Sequence, residues 1–309
     1  MAGISCFLTP LQVCWAGEPK GALAPATTAL QDSVIVRRIL DANGLSEVPV
    51  EQVAKARGDR IVELELRGKK ISPRPLPRSL TTIPEEIGQL TALEKLEIRS
   101  NEIKQLPDAL FTLTKVIELD VSNNGLEALS PKIRQLVNLR KLRVGMNKLM
   151  IVPESIGSLA ALEDLDLSSN DIEELPASVG DLLNLRRLDL GENVLSNLPA
   201  SLEKIPRLAT LSLKRNRFRE IPPVVLALKS LQFLYLSENL LTTLDPKVGG
   251  LVRLESLTLD KNQLTTLPPS IGGLTRLRFF RIEGNPIENR SNLLEELFGP
   301  EERRQIDVR

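Results

Sequence analysis

The sequence predicts an α/β solenoid, a curved stack of short units with a parallel sheet on its concave face and irregular or short helical segments on its convex face. An asparagine recurs every 23 residues, and the residues around it follow the pattern LxxLxLxxNxLxxLPxxIxxLxx. One such unit buries almost nothing by itself, whereas stacked units share a continuous leucine core. The recurring asparagines are Asn101, Asn124, Asn147, Asn170, Asn193, Asn216, Asn239, Asn262 and Asn285.

Each part of the unit predicts a local structure, as the fourth unit illustrates. Leu165 and Leu167 alternate with polar residues, which is the period of a strand with one buried face. Asn170 follows where the chain turns away from the strand, and we expect its amide to pair with backbone groups that the turn leaves open. Pro176 favours an irregular convex segment, because proline cannot donate a backbone hydrogen bond.

The spacing and the asparagine resemble a leucine-rich repeat. The Leu-Pro and Ile-Gly pairs, as in 267–272, are similar to those of Ras-group leucine-rich repeat scaffolds, and the segment 38–45 is similar to that of exported bacterial leucine-rich repeat proteins. The resemblance implies a horseshoe-shaped solenoid that binds other proteins without catalysis. It does not identify the partner, because one fold serves many functions.

The amino-terminal residues 1–17 predict a possible export signal. They carry no charged side chain, and Cys14-Trp15-Ala16-Gly17 has the spacing of a signal-peptidase site. The run is too short to span a membrane, which takes about 20 apolar residues. Export to the periplasm or the exterior is favoured over a cytoplasmic location with a disordered tail. Residues 18–31 are interpreted as a linker.

An amino-terminal helical cap is predicted over 32–60. Asp32 and Ser33 are expected to begin a short helix that ends at Asn43-Gly44, and a second short segment follows at 50–56. The cap would cover the open end of the leucine core, which a solenoid needs for solubility.

The solenoid itself is predicted over 61–290, with about ten repeats. An atypical first repeat has Lys69 in the asparagine position, and a proline-rich insertion follows at 71–79. A carboxy-terminal helical cap is expected over 291–309, where Asn292 would cap a helix at 293–298 that stops at Gly299. Within the insertion, Arg74-Pro75-Leu76-Pro77 resembles half of an SH3-domain ligand, but a rigid loop is the favoured interpretation.

Composition excludes several classes of function. Forty basic and forty acidic residues cancel, which argues against binding to nucleic acid through general attraction. Histidine is absent, and the two cysteines, Cys6 and Cys14, precede the predicted fold. The commonest general base and metal ligands are therefore missing, so no cofactor and no metal is expected. We expect a monomer.

Candidate binding residues lie in the strand positions that point away from the leucine core. Equivalent outward-pointing residues of successive strands form columns across the sheet. The column formed by the second such residue of each strand is largely acidic, and we predict that it faces solvent and selects basic groups on a partner. Nearer the carboxy terminus, neutral and aromatic side chains replace charged ones at these positions, which is typical of binding surfaces. The candidate residues are Glu97, Asp120, Arg143, Asp166 and Asp189 in the acidic column, and Phe233, Tyr235, Phe279 and Arg281 in the aromatic patch.

Two alternatives stay open for these residues. Aspartate after the first strand leucine is common in such repeats, and Phe279 could belong to the capped end.

Three functions are considered for the concave face. The first is binding of a protein or peptide, and the second is an adhesive or carbohydrate-binding surface in which Tyr235 and Phe279 stack on sugars. The third is hydrolysis by the carboxylates of Glu97 and Asp120, which are expected to perturb each other's pKa. Binding is favoured, because an exposed concave sheet offers no pocket that excludes water.

Overall fold

The computed structural model of the protein describes residues 25–68, 78–288, 290–305 and 307–308. The predicted export signal at 1–17, both cysteines and Lys69 lie outside these residues. So does the insertion at 71–79, except for its last two residues.

The repeats build one sheet, in which the strands follow each other in chain order. Equivalent leucines such as Leu96, Leu119 and Leu142 are paired directly, because the units after the first repeat have the same length. From β2 onward all described strands are parallel, and the predicted solenoid is confirmed. The strands are β1 Ala54–Arg57, β2 Arg60–Glu65, β3 Lys95–Glu97, β4 Glu118–Asp120, β5 Lys141–Arg143, β6 Asp164–Asp166, β7 Arg187–Asp189, β8 Thr210–Ser212, β9 Phe233–Tyr235, β10 Ser256–Thr258, β11 Phe279–Arg281 and β12 Asp307–Val308.

The convex face consists of five-residue helical segments that follow the repeat prolines. Most are 3-10 helices, which suits a stretch too short for α-helical hydrogen bonding. Gly180 packs so closely on the next segment that a Cβ there would approach the Ser201 carbonyl oxygen to 2.2 Å, which explains the glycine of the repeat pattern. The 3-10 helices are Glu85–Gln89, Asp108–Thr112, Pro131–Gln135, Glu154–Ser158, Ala177–Asp181, Ala200–Lys204, Pro246–Gly250 and Pro269–Gly273, and Pro223–Ala227 is an α-helix, α3.

The recurring asparagine joins neighbouring repeats, as Asn193 shows. Its Nδ2 donates to the Leu190 carbonyl of its own repeat at 3.1 Å and to the Leu167 carbonyl of the preceding repeat at 3.0 Å. Its Oδ1 accepts a hydrogen bond from the Ile172 N–H at 3.1 Å. The residue before each asparagine turns the chain with a positive φ, for example 57° at Glu192. One side chain therefore satisfies backbone groups of two turns.

The amino-terminal helix, α1, spans Pro25–Asp41 and starts seven residues before the predicted start. The expected linker at 18–31 is therefore partly helical, and the prediction that Asp32 caps the helix is wrong. Asp32 is only 2% exposed, and its carboxylate accepts hydrogen bonds from Arg60 Nε and the Ile61 N–H, both at 2.9 Å. It joins the helix to the first long strand.

The predicted second segment at 50–56 divides into two elements. Val50–Val53 forms one helical turn, α2, and Ala54–Arg57 forms β1, which pairs antiparallel with β2. Gly58, with φ of 65°, turns the chain between the two strands. The cap therefore extends the sheet as well as covering the core.

The carboxy-terminal helix, α4, spans Arg290–Gln305 and starts before Asn292, so the predicted capping role of Asn292 is wrong. Gly299 interrupts the helix with φ of 66°, at the residue where the sequence predicts its end. Phe298 packs edge-on against Phe280, with ring centres 5.7 Å apart, and seals the core. The short strand β12 then pairs with β11. The predicted helical cap did not include β12.

Candidate functional site

The register of the last repeats brings the predicted aromatic patch together on the concave face. Ser256 pairs with Phe233 on one side and with Phe279 on the other. Thr258 lies between Tyr235 and Arg281 in the same way. Strand β10 thus contributes small polar residues between two strands that carry large ones.

This arrangement forms a depression of about 780 Å³, here called the slot. Its floor is Ser256 and Thr258, one wall is Phe233 with Tyr235, and the other wall is Phe279 with Arg281. Ser256 is only 4% exposed, whereas Phe279 is 48% exposed. An aromatic ring is therefore presented to solvent beside a hydrogen-bonding floor. Ser212, Lys214, Ser237, Glu238, Asp260, Lys261, Glu283 and Gly284 form the rest of the lining.

Arg281 differs from the other arginines on this face. In the described part of the chain, no carboxylate lies within 4.0 Å of its guanidinium and no side chain accepts a hydrogen bond from it. Arg143, which occupies the same column, lies 2.8 Å from Glu118, and Arg187 lies 2.9 Å from Asp189. The half-buried guanidinium of Arg281 is thus open to a ligand.

The prediction that Glu97 and Asp120 face solvent is wrong. Glu97 is 6% exposed and Asp120 is 4% exposed, because neighbouring side chains of the concave sheet cover them. Glu97 lies 2.7 Å from Lys95 Nζ and 2.5 Å from Arg67 Nε. Asp120 accepts hydrogen bonds from the Ser122 N–H at 3.0 Å and its hydroxyl at 2.5 Å.

The remaining acidic-column residues also form contacts within the fold. Asp166 accepts hydrogen bonds from the N–H of Ser168 at 2.9 Å and from its hydroxyl at 2.6 Å. Asp189 accepts one from the Gly191 N–H at 3.1 Å. An aspartate that binds the N–H two residues later is a local turn motif, so these carboxylates shape the exit from each strand.

The expected carboxylate pair is not arranged for acid–base chemistry. Burial opposes ionisation of Glu97, but hydrogen bonds from Lys95 and Arg67 outweigh it and lower the pKa of Glu97. A general acid needs a raised pKa, and the cations, not Asp120, determine this shift. Burial does raise the pKa of Asp164, against the attraction of Arg143 and Arg187.

The floor of the slot was not predicted from the sequence. Ser256 and Thr258 are ordinary residues in the sequence, and their role comes from the large neighbours that the register places on both sides. The repeat spacing does indicate which residues are neighbours, since the same 23-residue step that aligns the asparagines also aligns Phe233, Ser256 and Phe279.

Two further observations concern other kinds of site. In the described ranges, no helix has the length and apolar character needed to cross a membrane. Within the same ranges, no three acidic or cysteine side chains converge in a way that could hold a metal ion.

Solved structures include several similar chains. A leucine-rich repeat protein of Leptospira interrogans is 29% identical, with a TM-score of 0.56, and the match covers 75% of this chain and 70% of that one. The ectodomain of a plant membrane receptor kinase from Arabidopsis thaliana, solved in complex with Casparian strip integrity factor 2, is 25% identical with a TM-score of 0.67. That match covers 85% of this chain and only 33% of the ectodomain.

An internalin from Listeria monocytogenes shares the fold, with a TM-score of 0.69 at 21% identity over 93% of this chain and 78% of that one. The leucine rich repeat family model matches at residues 91–149, 118–172, 160–218, 206–249 and 229–287, which together span more than half of the sequence. With its paired leucines, its parallel sheet and its asparagine ladder, the chain belongs to the leucine-rich repeat family.

Proposed function

We propose that the protein is a non-catalytic binding module, and that a protein or peptide partner is anchored in the slot on the concave face. The observation that supports this proposal is the exposed ring of Phe279 beside the unpaired guanidinium of Arg281. Aromatic and arginine side chains in partly desolvated positions supply most of the binding energy in protein interfaces.

The family supports the general part of this proposal. Leucine-rich repeat proteins generally mediate interactions between proteins, and the similar plant ectodomain was solved with a bound factor. We give the acidic column a secondary role in this proposal, because Glu97, Asp120, Asp166, Asp189 and Arg143 already have partners within the fold. This column adds electrostatic complementarity on the strands β3 to β7, which precede the slot, and the slot supplies the anchor.

The proposal is tested with the double variant Tyr235→Ala plus Phe279→Ala. Wild type and variant are used for affinity capture from cell extract and, separately, from culture medium, and each captured protein is purified and titrated by calorimetry. We expect the variant to bind at least about 30-fold more weakly, since loss of two anchoring rings removes 2 kcal/mol or more. Capture from the medium alone would agree with the expected export.

A matched control is Val137→Ala plus Leu183→Ala, which removes two exposed apolar side chains away from the slot. This control is expected to bind like the wild type. Equal binding by wild type and slot variant would refute the slot as the anchor. A titration in which soluble glycans compete, but partner proteins do not, would favour the carbohydrate-binding alternative.

A further inference from the structure

We propose that the slot recognises an extended peptide segment carrying an apolar side chain and, two residues away, a carboxylate side chain. This inference rests on the proposed function and specifies its ligand. It follows from a division of the slot into two levels along the strands.

The two levels follow from the strand register. Phe233, Ser256 and Phe279 form the first level. Residues two positions later in each strand, Tyr235, Thr258 and Arg281, form the second level. Since a strand rises about 3.3 Å per residue, the two levels lie about 6.6 Å apart. The slot therefore offers two different environments at a defined separation.

The first level suits an apolar side chain. Phe233 and Phe279 lie two strands apart, which places their strand axes about 9.6 Å from each other. The buried Ser256 between them leaves room above a small side chain. One leucine, isoleucine or phenylalanine side chain can enter between the rings and cover the exposed surface of Phe279.

The second level suits a carboxylate. Among the described residues, neither Arg281 nor the Tyr235 hydroxyl has a hydrogen-bonding or ionic partner. Asp260, which also lines the slot, accepts hydrogen bonds from the Ser237 hydroxyl at 3.0 Å and the Glu283 N–H at 3.1 Å. The exposed Glu283 lies beyond 4.0 Å from the guanidinium. A planar guanidinium in this setting favours a carboxylate, which it can bind through two parallel hydrogen bonds.

An extended chain matches both levels at once. In an extended peptide, residues i and i+2 point to the same side and lie about 6.6 Å apart, which is the separation of the two levels. In a helix, residues i and i+2 do not share a face. The partner segment is therefore extended, and its apolar and acidic side chains are separated by one residue.

The experiment selects ligands from a fully random ten-residue peptide display library, using the folded full-length wild type and, separately, the variant Arg281→Gln. We expect peptides from the wild type to be enriched in an apolar residue two positions from Asp or Glu. Selection with Arg281→Gln is expected to retain the apolar preference and lose the acidic one. Synthetic wild-type-selected peptides should bind Arg281→Gln roughly tenfold more weakly.

The matched control is Arg253→Gln, which removes an exposed arginine outside the slot and is expected to leave the selected peptides and their affinities unchanged. Peptides whose binding is abolished by Phe279→Ala but that show no acidic preference would overturn this inference and leave the proposed function standing. Retention of the acidic preference by Arg281→Gln would also overturn it. Failure of the wild type to enrich any peptide would count against both proposals.

Discussion

At the residue scale, the recurring asparagine stabilises the turn of one repeat against the next. In the ladder, each Oδ1 accepts from the backbone of the preceding repeat and each Nδ2 lies within hydrogen-bonding distance of at least two carbonyls. Removing such a side chain leaves a buried backbone N–H of the preceding repeat without a partner, and an unsatisfied group costs about 1–3 kcal/mol. A buried asparagine is therefore worth more than the single hydrogen bond of an exposed one.

Asn193→Ala is expected to destabilise the protein by about 2 kcal/mol, because the Ile172 N–H loses its partner and the Leu167 carbonyl keeps only the amide of Asn170. The matched control is Asn184→Ala. Asn184 is exposed and donates one hydrogen bond to the Ala160 carbonyl at 2.9 Å, so its loss is expected to cost less than about 1 kcal/mol. Urea denaturation of both variants measures the difference; equal losses would refute the ladder's role.

At the scale of the element, the five-residue convex helices explain why the repeat pattern contains glycine. Neighbouring segments approach each other so closely at Gly157, Gly180 and Gly249 that a Cβ would lie 2.2–2.4 Å from a serine carbonyl oxygen of the next repeat. None of these glycines has a positive φ. The requirement is therefore for space and not for backbone freedom.

Gly180→Ala is expected to destabilise the protein by about 2 kcal/mol, because the added methyl group pushes apart two packed segments. The control is Gly125→Ala. A Cβ at Gly125 would meet its nearest atom at 3.5 Å, so this change should be neutral or slightly stabilising. Thermal unfolding measures both variants, and an equal fall in melting temperature would contradict the need for space at Gly180.

At the two ends of the molecule, the sequence pattern does not predict the strands. The period of 23 predicts every strand from Lys95 to Arg281, because each repeat places its leucines at the same offset. The strands β1 and β12 have no such signal. Ala54–Arg57 becomes a strand only because β2 offers an unpaired edge, and Asp307–Val308 because β11 does. Tertiary pairing, not local pattern, decides both.

At the scale of the whole molecule, the sequence predicts the solenoid and the aromatic patch but not the surroundings of the charged side chains on the concave face. Glu97 and Asp120 appear exposed in a column of strand residues, yet the concave sheet brings cations and hydroxyls close enough to cover them. Likewise, the open state of Arg281 depends on the distances to Asp260 and Glu283, which spacing alone does not supply. Side-chain pairing across strands is a property of the assembled sheet.

This pairing makes stability depend on pH in two opposite ways. The pKa of Glu97 is lower in the folded protein, so its stabilisation is complete above the unfolded value of about 4.3 and is lost as pH falls through the folded value. The pKa of Asp164 is raised by burial, so folding favours its protonated form and its ionised form weakens the fold at neutral pH.

Glu97→Gln is therefore expected to destabilise the protein by about 2 kcal/mol at pH 7, through loss of the contacts with Lys95 and Arg67, and by much less at pH 3. Asp164→Asn, its counterpart, is expected to stabilise the protein at pH 7 and to match the wild type at pH 3. Urea denaturation at both pH values measures these differences. An Asp164→Asn protein that is weaker than wild type at pH 7 would contradict the role assigned to burial.

The asparagine ladder also affects how such a gene can change by recombination. Each amide bonds only within its own repeat and to the one before it, so loss or duplication of a whole 23-residue block gives every remaining amide an equivalent neighbour. Such an event would leave the core continuous and would move the slot about 4.8 Å, one strand spacing, relative to the charged amino-terminal strands. The distance between the slot and the charged amino-terminal strands can thus change in uniform steps, while the residues of both surfaces stay the same.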